Sequence, residues 1–235
     1  MSNARNLANL LTPTTAGTIP TDLVMSGTTP TLTIGDAGAE DTAIIFDGNA
    51  QDFHIGLDDS ADDLVIGKGS ALGTTPALSI DENLIITQVT SMVKPIVTIT
   101  ATGSITVAAH AGRTLLLGEV GGDAAVTLTL PAATGSGAEY RFIVSVVNTS
   151  GYKVQVTGDD TIDGSVIIHQ DSAATVTSFN TVAASDTITL NGTTTGGVSI
   201  GDEFTVLDMA ADQYMVKGVL TGSGTEATPF TAAVS

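Results

Sequence analysis

Residues 31–90 read TLTIGDAGAEDTAIIFDGNAQDFHIGLDDSADDLVIGKGSALGTTPALSIDENLIITQVT. Short apolar runs at 43–46, 53–57, 64–66, 77–80 and 84–87 alternate with acidic or glycine-rich joints. Each run has the length of a strand. The joints carry turn chemistry: Asp47-Gly48-Asn49, Asp58-Asp59-Ser60 and Gly67-Lys68-Gly69. The dipeptide Ile-Gly recurs at 34, 55 and 66, each time closing an apolar run, and its uneven spacing is not that of a fixed-period solenoid. The stretch therefore predicts a meander of short strands joined by tight turns. Strands this brief bury little by themselves, so intertwining with other copies, in a trimer, is expected to complete the module.

Outward from this stretch toward the C-terminus, the texture changes. Runs become longer and alternate, as at 96–100, 105–109, 114–117, 125–130, 140–147, 152–156, 165–168, 175–179, 187–190, 204–207 and 214–220. Val126, Leu128 and Leu130 share one side, with Thr127 and Thr129 on the other. Tyr140, Phe142, Val144 and Val146 repeat the pattern. Period-2 alternation is the mark of half-buried antiparallel strands. Pro131 fits a strand end, because it has no amide to donate inside a sheet. The fold class expected is all-β. A short-strand module over 31–90 precedes an antiparallel β-sandwich of jelly-roll type over 91–235.

Toward the N-terminus, residues 1–30 read as an arm. Residues 3–11 predict a short helix capped by Asn3, with Leu7, Leu10 and Leu11 on one face and Pro13 as its stop. A helix this short is marginal alone. Its leucine face is expected to dock on its own trimer or on a neighbouring protein, the alternative being a frayed tail. Residues 12–30 hold three prolines and many threonines, an extended connector. No signal peptide is expected in MSNARNLANLLTP.

Composition narrows the function. The 235 residues carry a net charge of −18, with 12 acids and two bases in 1–90 and 13 acids and five bases in the remainder. An acidic surface repels phosphate backbones, so nucleic acid is not an expected partner. Mean hydropathy is +0.33, yet no apolar run nears the ~20 residues of a membrane helix, and no membrane partner is expected. Cysteine and tryptophan are absent, which excludes disulfides and thiolate chemistry. Cores must rest on Val, Ile, Leu and Ala.

Each motif that resembles a reaction centre has a plainer reading. Asp58, Asp59, Asp62 and Asp63 form the densest acidic cluster and are the candidate metal ligands, calcium being the cation that favours carboxylate oxygens on a loop. The EF-hand order of ligands is missing, and a solvated hairpin turn is the plainer reading. His54, His110 and His169 are far apart, and His54, between Phe53 and Ile55, reads as a strand-surface residue. Gly67-Lys68-Gly69-Ser70 lacks phosphate-loop spacing. Gly158-Asp159-Asp160 reads as a hairpin turn, and the glycosylation patterns at Asn148 and Asn191 read as chance. A paired-carboxylate glycosidase finds little support without aromatic platforms for sugar. No catalytic residue and no cofactor is expected.

Residues 41–67, DTAIIFDGNAQDFHIGLDDSADDLVIG, resemble a module of structural proteins of marine tailed bacteriophages. GRTLLL at 112–117, LTLPAA at 128–133, Tyr140-Arg141-Phe142 and Gly158-Asp159-Asp160 are similar to β domains of phage virion proteins. The resemblance implies a homotrimeric, non-enzymatic virion component on the capsid surface, assembled in the host cytoplasm. A capsid decoration, or cement, protein contacting the major capsid protein is the function expected. The alternative is a tail fibre or spike component that binds a host glycan.

Overall fold

The computed structural model describes residues 24–88, 93–121 and 124–234. The helix expected over 3–11 and most of the connector over 12–30 lie outside them. The chain divides into two units between Met92 and Val93.

The first unit is one five-stranded antiparallel sheet: β1 (Thr42–Phe46), β2 (Phe53–Asp58), β3 (Asp63–Lys68), β4 (Pro76–Ile80) and β5 (Ile86–Gln88). Strand order follows the chain, as a meander requires. Tight joints force this order: Asp62 at φ 57° and Gly69 at φ 90° bracket β3 with left-handed turns.

The second unit is a sandwich of two sheets. Its strands are β6 (Ile96–Ile99), β7 (Gly103–Ser104), β8 (Thr114–Leu117), β9 (Val126–Thr129), β10 (Glu139–Val144), β11 (Tyr152–Gln155), β12 (Thr161–Gln170), β13 (Val176–Asn180), β14 (Thr187–Leu190), β15 (Glu203–Ala210), β16 (Gln213–Gly222) and β17 (Phe230–Thr231). The larger sheet has the order β13-β12-β16-β15-β10-β8-β6, and the smaller β17-β14-β11-β9-β7. The core fills the space between them, with Leu115, Phe142, Val166 and Val206 from one sheet meeting Leu128, Val154 and Ile188 from the other. Phe142 and Phe204, register neighbours on β10 and β15, stack with centroids 5.0 Å apart.

The sandwich is all-β, but its sheets are mixed where an antiparallel arrangement was expected. The pairs β6/β8, β8/β10 and β12/β16 run parallel in the larger sheet, as do β7/β9 and β9/β11 in the smaller. The reason lies in the winding. From β6 to β11 the chain alternates between the two sheets at every strand, so each return runs the same way as the last. Alternation of side chains is the same in either direction, which is why the sequence pattern was silent on it.

A second correction falls at 105–109. Instead of a strand, the chain makes the one-turn helix α1 (Val107–His110) after β7. Thr106 caps it by accepting from the Ala109 amide at 3.3 Å, and the Thr106 N–H donates to His110 Nδ1 at 2.9 Å. Ile105 still points into the core. Local capping at Thr106 outweighs the strand preference of a five-residue run.

Candidate functional site

The strand β2 places the candidate site. Its alternation is the reverse of a surface strand carrying a histidine: His54 is 0 % exposed, whereas Phe53 is 54 % and Ile55 38 % exposed. The expectation of a surface His54 is therefore corrected. His54, Gly56 and Asp58 line one face, and Phe53, Ile55 and Leu57 the other.

The first face is closed by the chain's own β3–β4 loop, residues 69–75. His54 Nδ1 donates to the Gly69 carbonyl at 2.8 Å. A Cβ on Gly56 would meet Leu72 Cδ1 at 2.9 Å as well as the Thr42 carbonyl. A Cβ on Gly73 would strike the Asp58 carboxylate. Gly69, Leu72 and Gly73 thus sit over His54, Gly56 and Asp58 in turn. Small inward residues (Ala43, Gly56, Gly67, Ser79) let a loop lie close to the sheet, where larger side chains would hold it off. The same closeness buries the His54 Nε2 atom with no hydrogen-bond partner.

The second face is apolar and open. The register runs Ile44, Ile55, Ile66, Leu78 across four strands. Beside it run Thr42, Leu57, Leu64, Ile80 and Ile86 across all five. Phe46, Phe53 and Lys68 close the face at one end. Ile34 joins Thr42, Ile44, Ile55, Leu57 and Leu64 around a shallow hollow of about 190 Å³. Among the described residues of this unit, Val65 is the one large apolar side chain counted in the core, at 2 % exposed. The sheet therefore buries its small and polar face and presents its large aliphatic and aromatic side chains to solvent, the inverse of a self-sufficient sheet.

Charge on the sheet is polarised. One end gathers Asp41, Asp58, Asp59, Asp63, Asp81 and Glu82 around the strand termini, with Asp62 in the same turn. The other end has Asp47, Asp52 and Lys68, the one cation among the unit's described residues. Of the four candidate metal ligands, Asp58 turns to the covered face and accepts from Ser60 Oγ at 2.7 Å. Asp59 donates its amide to Asp41 Oδ1 at 3.0 Å. Asp62 holds the left-handed turn position and Asp63 opens β3. Among the described residues no three of His, Cys, Asp or Glu are grouped to hold a metal ion.

The other motifs fall apart in space or serve the fold. His110 ends α1, and His169 lies exposed on β12. Lys68 lies within β3, with no helix following it. Gly158 and Asp159 turn between β11 and β12, and buried Asp160 accepts from the Ala133 amide at 2.9 Å. Asn148 is buried, donating to the Ala124 carbonyl at 2.8 Å and accepting from the Ser150 and Gly151 amides.

In the sandwich, buried carboxylates fasten loops to strands. Asp208 on β15 receives the Thr134, Gly135 and Ser136 amides and the hydroxyls of Thr134 and Ser136, at 2.6–3.1 Å. Burial pushes its carboxyl up, but the hydrogen bonds from Ser136, Gly135 and Thr134 outweigh that and hold it below the usual carboxylate range. Asp202 receives the Gly197 and Thr221 amides, and Asp186 those of Ala233 and Val234. These groups are consumed by structure, and sequence reading had singled out none of Asp186, Asp202 and Asp208. Asp208 lies within β15, and Asp202 and Asp186 each precede a strand; the partners of Asp208 and Asp186, and one of the two partners of Asp202, lie far off in sequence.

Among the described residues no helix is long and apolar enough to cross a membrane. No family model matches the chain, and no curated protein matches it. The open apolar face of the first unit is the feature that function must account for. Its signal was present in the sequence as Phe53, Ile55 and Leu57 alternating with His54, Gly56 and Asp58, a strand whose apolar side is the larger one.

Proposed function

We propose that the chain is a non-enzymatic structural protein of a tailed-bacteriophage virion, a homotrimeric decoration protein that stabilises the capsid shell. One observation carries the proposal: the first unit has a complete sheet and almost no apolar core of its own. Such a unit gains its stability inside an assembly, where neighbours supply the missing burial. The high acidity spread along the chain suits a protein displayed in many copies without aggregation. The resemblance of residues 41–67 to phage structural modules supplies the setting.

A second reading, a tail fibre or spike component binding a host glycan, draws on the outer surface of β15 and β16. A shallow hollow of about 260 Å³ there is lined by Glu203, Thr205, Lys217 and exposed Val219 over Gly218 and buried Phe204, and its three polar side chains are of the kind that hydrogen-bond sugar hydroxyls. Copy number separates the two. Quantitative mass spectrometry of purified virions is expected to find the chain in a ratio comparable with the major capsid protein, on the order of hundreds of copies, as icosahedral repetition demands. A count of roughly a dozen or fewer would refute decoration and favour the tail.

A further inference from the structure

We infer that the open face of the five-stranded sheet, centred on Ile44, Ile55 and Ile66, is covered by the same face of other copies of this chain, and that the copies meet with the acidic end of one sheet at the Lys68 end of the next. The inference rests on the homo-oligomeric reading above and assigns its surface and orientation.

Area is the first argument. Ile44, Phe46, Phe53, Ile55, Leu57, Leu64 and Ile66 remain 38–54 % exposed. At ~200 Å² for a large side chain this leaves roughly 600 Å² of apolar surface on one face. Ile34, at 45 %, and Ile86, at 64 % exposed, extend it. The largest apolar patch of a typical monomer is about 300–600 Å². A stable interface takes about 800 Å² from each partner. The face is at the limit for a free surface and close to the size of an interface.

Shape and chemistry are the second argument. The face is a regular sheet of aliphatic rows with one charge, Lys68, at its border. A sheet packs best on another sheet of matching pitch, side chains interdigitating across ~10 Å. The chain's own face is such a partner, and association makes a core of the Ile and Leu rows with the polar groups Thr42, Lys68 and Gln88 only at its margins.

Charge fixes orientation. Seven carboxylates crowd the end built by the 41, 58–63 and 81–82 segments, whereas the other end holds two, Asp47 and Asp52, beside Lys68. Packing with like ends together would stack those carboxylates between copies, and like charges repel. Packing head to tail, antiparallel in a pair or following round a closed ring of three, separates them and sets Lys68 beside carboxylates.

The test uses the full chain. Light-scattering mass after size exclusion is measured for the unmodified protein, for Ile55→Lys and for Lys68→Glu. Ile55 is already partly exposed, so a lysine there leaves the single chain folded, as circular dichroism will verify, but forces an unpaired charge into the proposed interface. The expected result is an oligomer for the unmodified chain. Self-association is expected to weaken roughly 100-fold or more for Ile55→Lys, and by a smaller factor for Lys68→Glu. Because the chain has no cysteine, Ile66→Cys adds a single thiol, expected to link copies on oxidation, whereas Thr205→Cys on the sandwich is not. An unmodified oligomer that survives Ile55→Lys unchanged and fails to link through Ile66→Cys overturns the surface assignment while leaving oligomerisation standing. A monomer at all accessible concentrations overturns both. A monomer whose 44–66 amides exchange slowly would give the face to another segment of the same chain, and also overturns the inference.

Discussion

Replacing Asp208 is expected to loosen the sandwich by an amount that the geometry sets. Its Oδ1 accepts the Thr134 and Gly135 amides at 2.9 and 2.7 Å. Its Oδ2 accepts the Ser136 amide at 3.1 Å and the Ser136 and Thr134 hydroxyls at 2.6 and 3.1 Å. In Asp208→Asn the first oxygen remains, and the hydroxyls rotate to accept from the new amide. The Ser136 backbone N–H has no such freedom and faces another donor. One stranded amide and the lost charge on the remaining bonds amount to about 3 kcal/mol. Asp208→Ala strands three backbone amides at once and is expected to cost about 5 kcal/mol. Both are large against a typical domain stability of ~5–15 kcal/mol.

The assay is urea unfolding followed by circular dichroism at fixed protein concentration, since association couples to folding. The pH dependence supplies a sign. The folded Asp208 carboxyl lies below its ordinary value of 3.8. Its contribution is therefore present above that value and is lost as pH falls through the folded one. The stability gap between the unmodified chain and Asp208→Asn should be constant from pH 7 down to about 5 and shrink below about 4. A gap under ~1 kcal/mol at pH 7, or one that does not change on acidification, would refute the account of Asp208 as a charged clasp on residues 134–136.

Further outcomes follow from the same packing. All three tyrosines, Tyr140, Tyr152 and Tyr214, have hydroxyls pushed above the usual value of 10.0, first by burial. The charge of Asp208 adds to the shift at Tyr140, that of Glu119 at Tyr152, and neighbouring Tyr140, Asp208 and Asp160 at Tyr214. Absorbance at ~295 nm should therefore show no tyrosinate in the native protein near pH 10, and stability should fall as pH rises beyond it; free ionisation there would contradict the burial. Tyr214 donates to the Pro131 carbonyl at 2.8 Å, while the Tyr140 hydroxyl is buried without a partner. Tyr214→Phe is thus expected to cost about 1 kcal/mol and Tyr140→Phe less than ~0.5 kcal/mol, a difference that equal losses in urea would contradict. Gly164, at φ 140°, lies so close to the Val216 carbonyl that Gly164→Ala must push β12 from β16, with an expected loss above ~3 kcal/mol in the same assay. Gly73→Ala, at φ 71° and with a Cβ that would strike the Asp58 carboxylate, should unseat the 69–75 loop, read as faster proteolysis within it; unchanged cleavage would mean that the loop does not lie on β2.

Particular strands show how far the sequence carries. Short runs with short joints, as at Asp47-Gly48-Asn49, are enough to specify an antiparallel meander, although Gly67 and Lys68 belong to β3 and the joint after them is the loop 69–75. Tight turns leave neighbouring strands no choice but to pair. Likewise Val126, Leu128, Tyr140 and Phe142 are buried where alternation places them. The one-turn helix at 107–110 was hidden because five residues of Ile, Thr, Val and Ala satisfy either period, and the cap at Thr106 decides.

What the sequence determined by itself is what is local: the strand character of most runs, several of the turns, the inward parity of the sandwich strands, and a net charge of −18. Tertiary structure decided everything that depends on pairs remote along the chain. It set parallel against antiparallel pairing, since side-chain parity is blind to direction. It set which parity of β2 faces inward, since only the return of residues 69–75 covers His54 and Gly56 and leaves Phe53, Ile55 and Leu57 open. It also turned Asp208 from one of 25 acids into a buried clasp, because its partners at 134–136 lie some seventy residues away and no pattern in the sequence joins them.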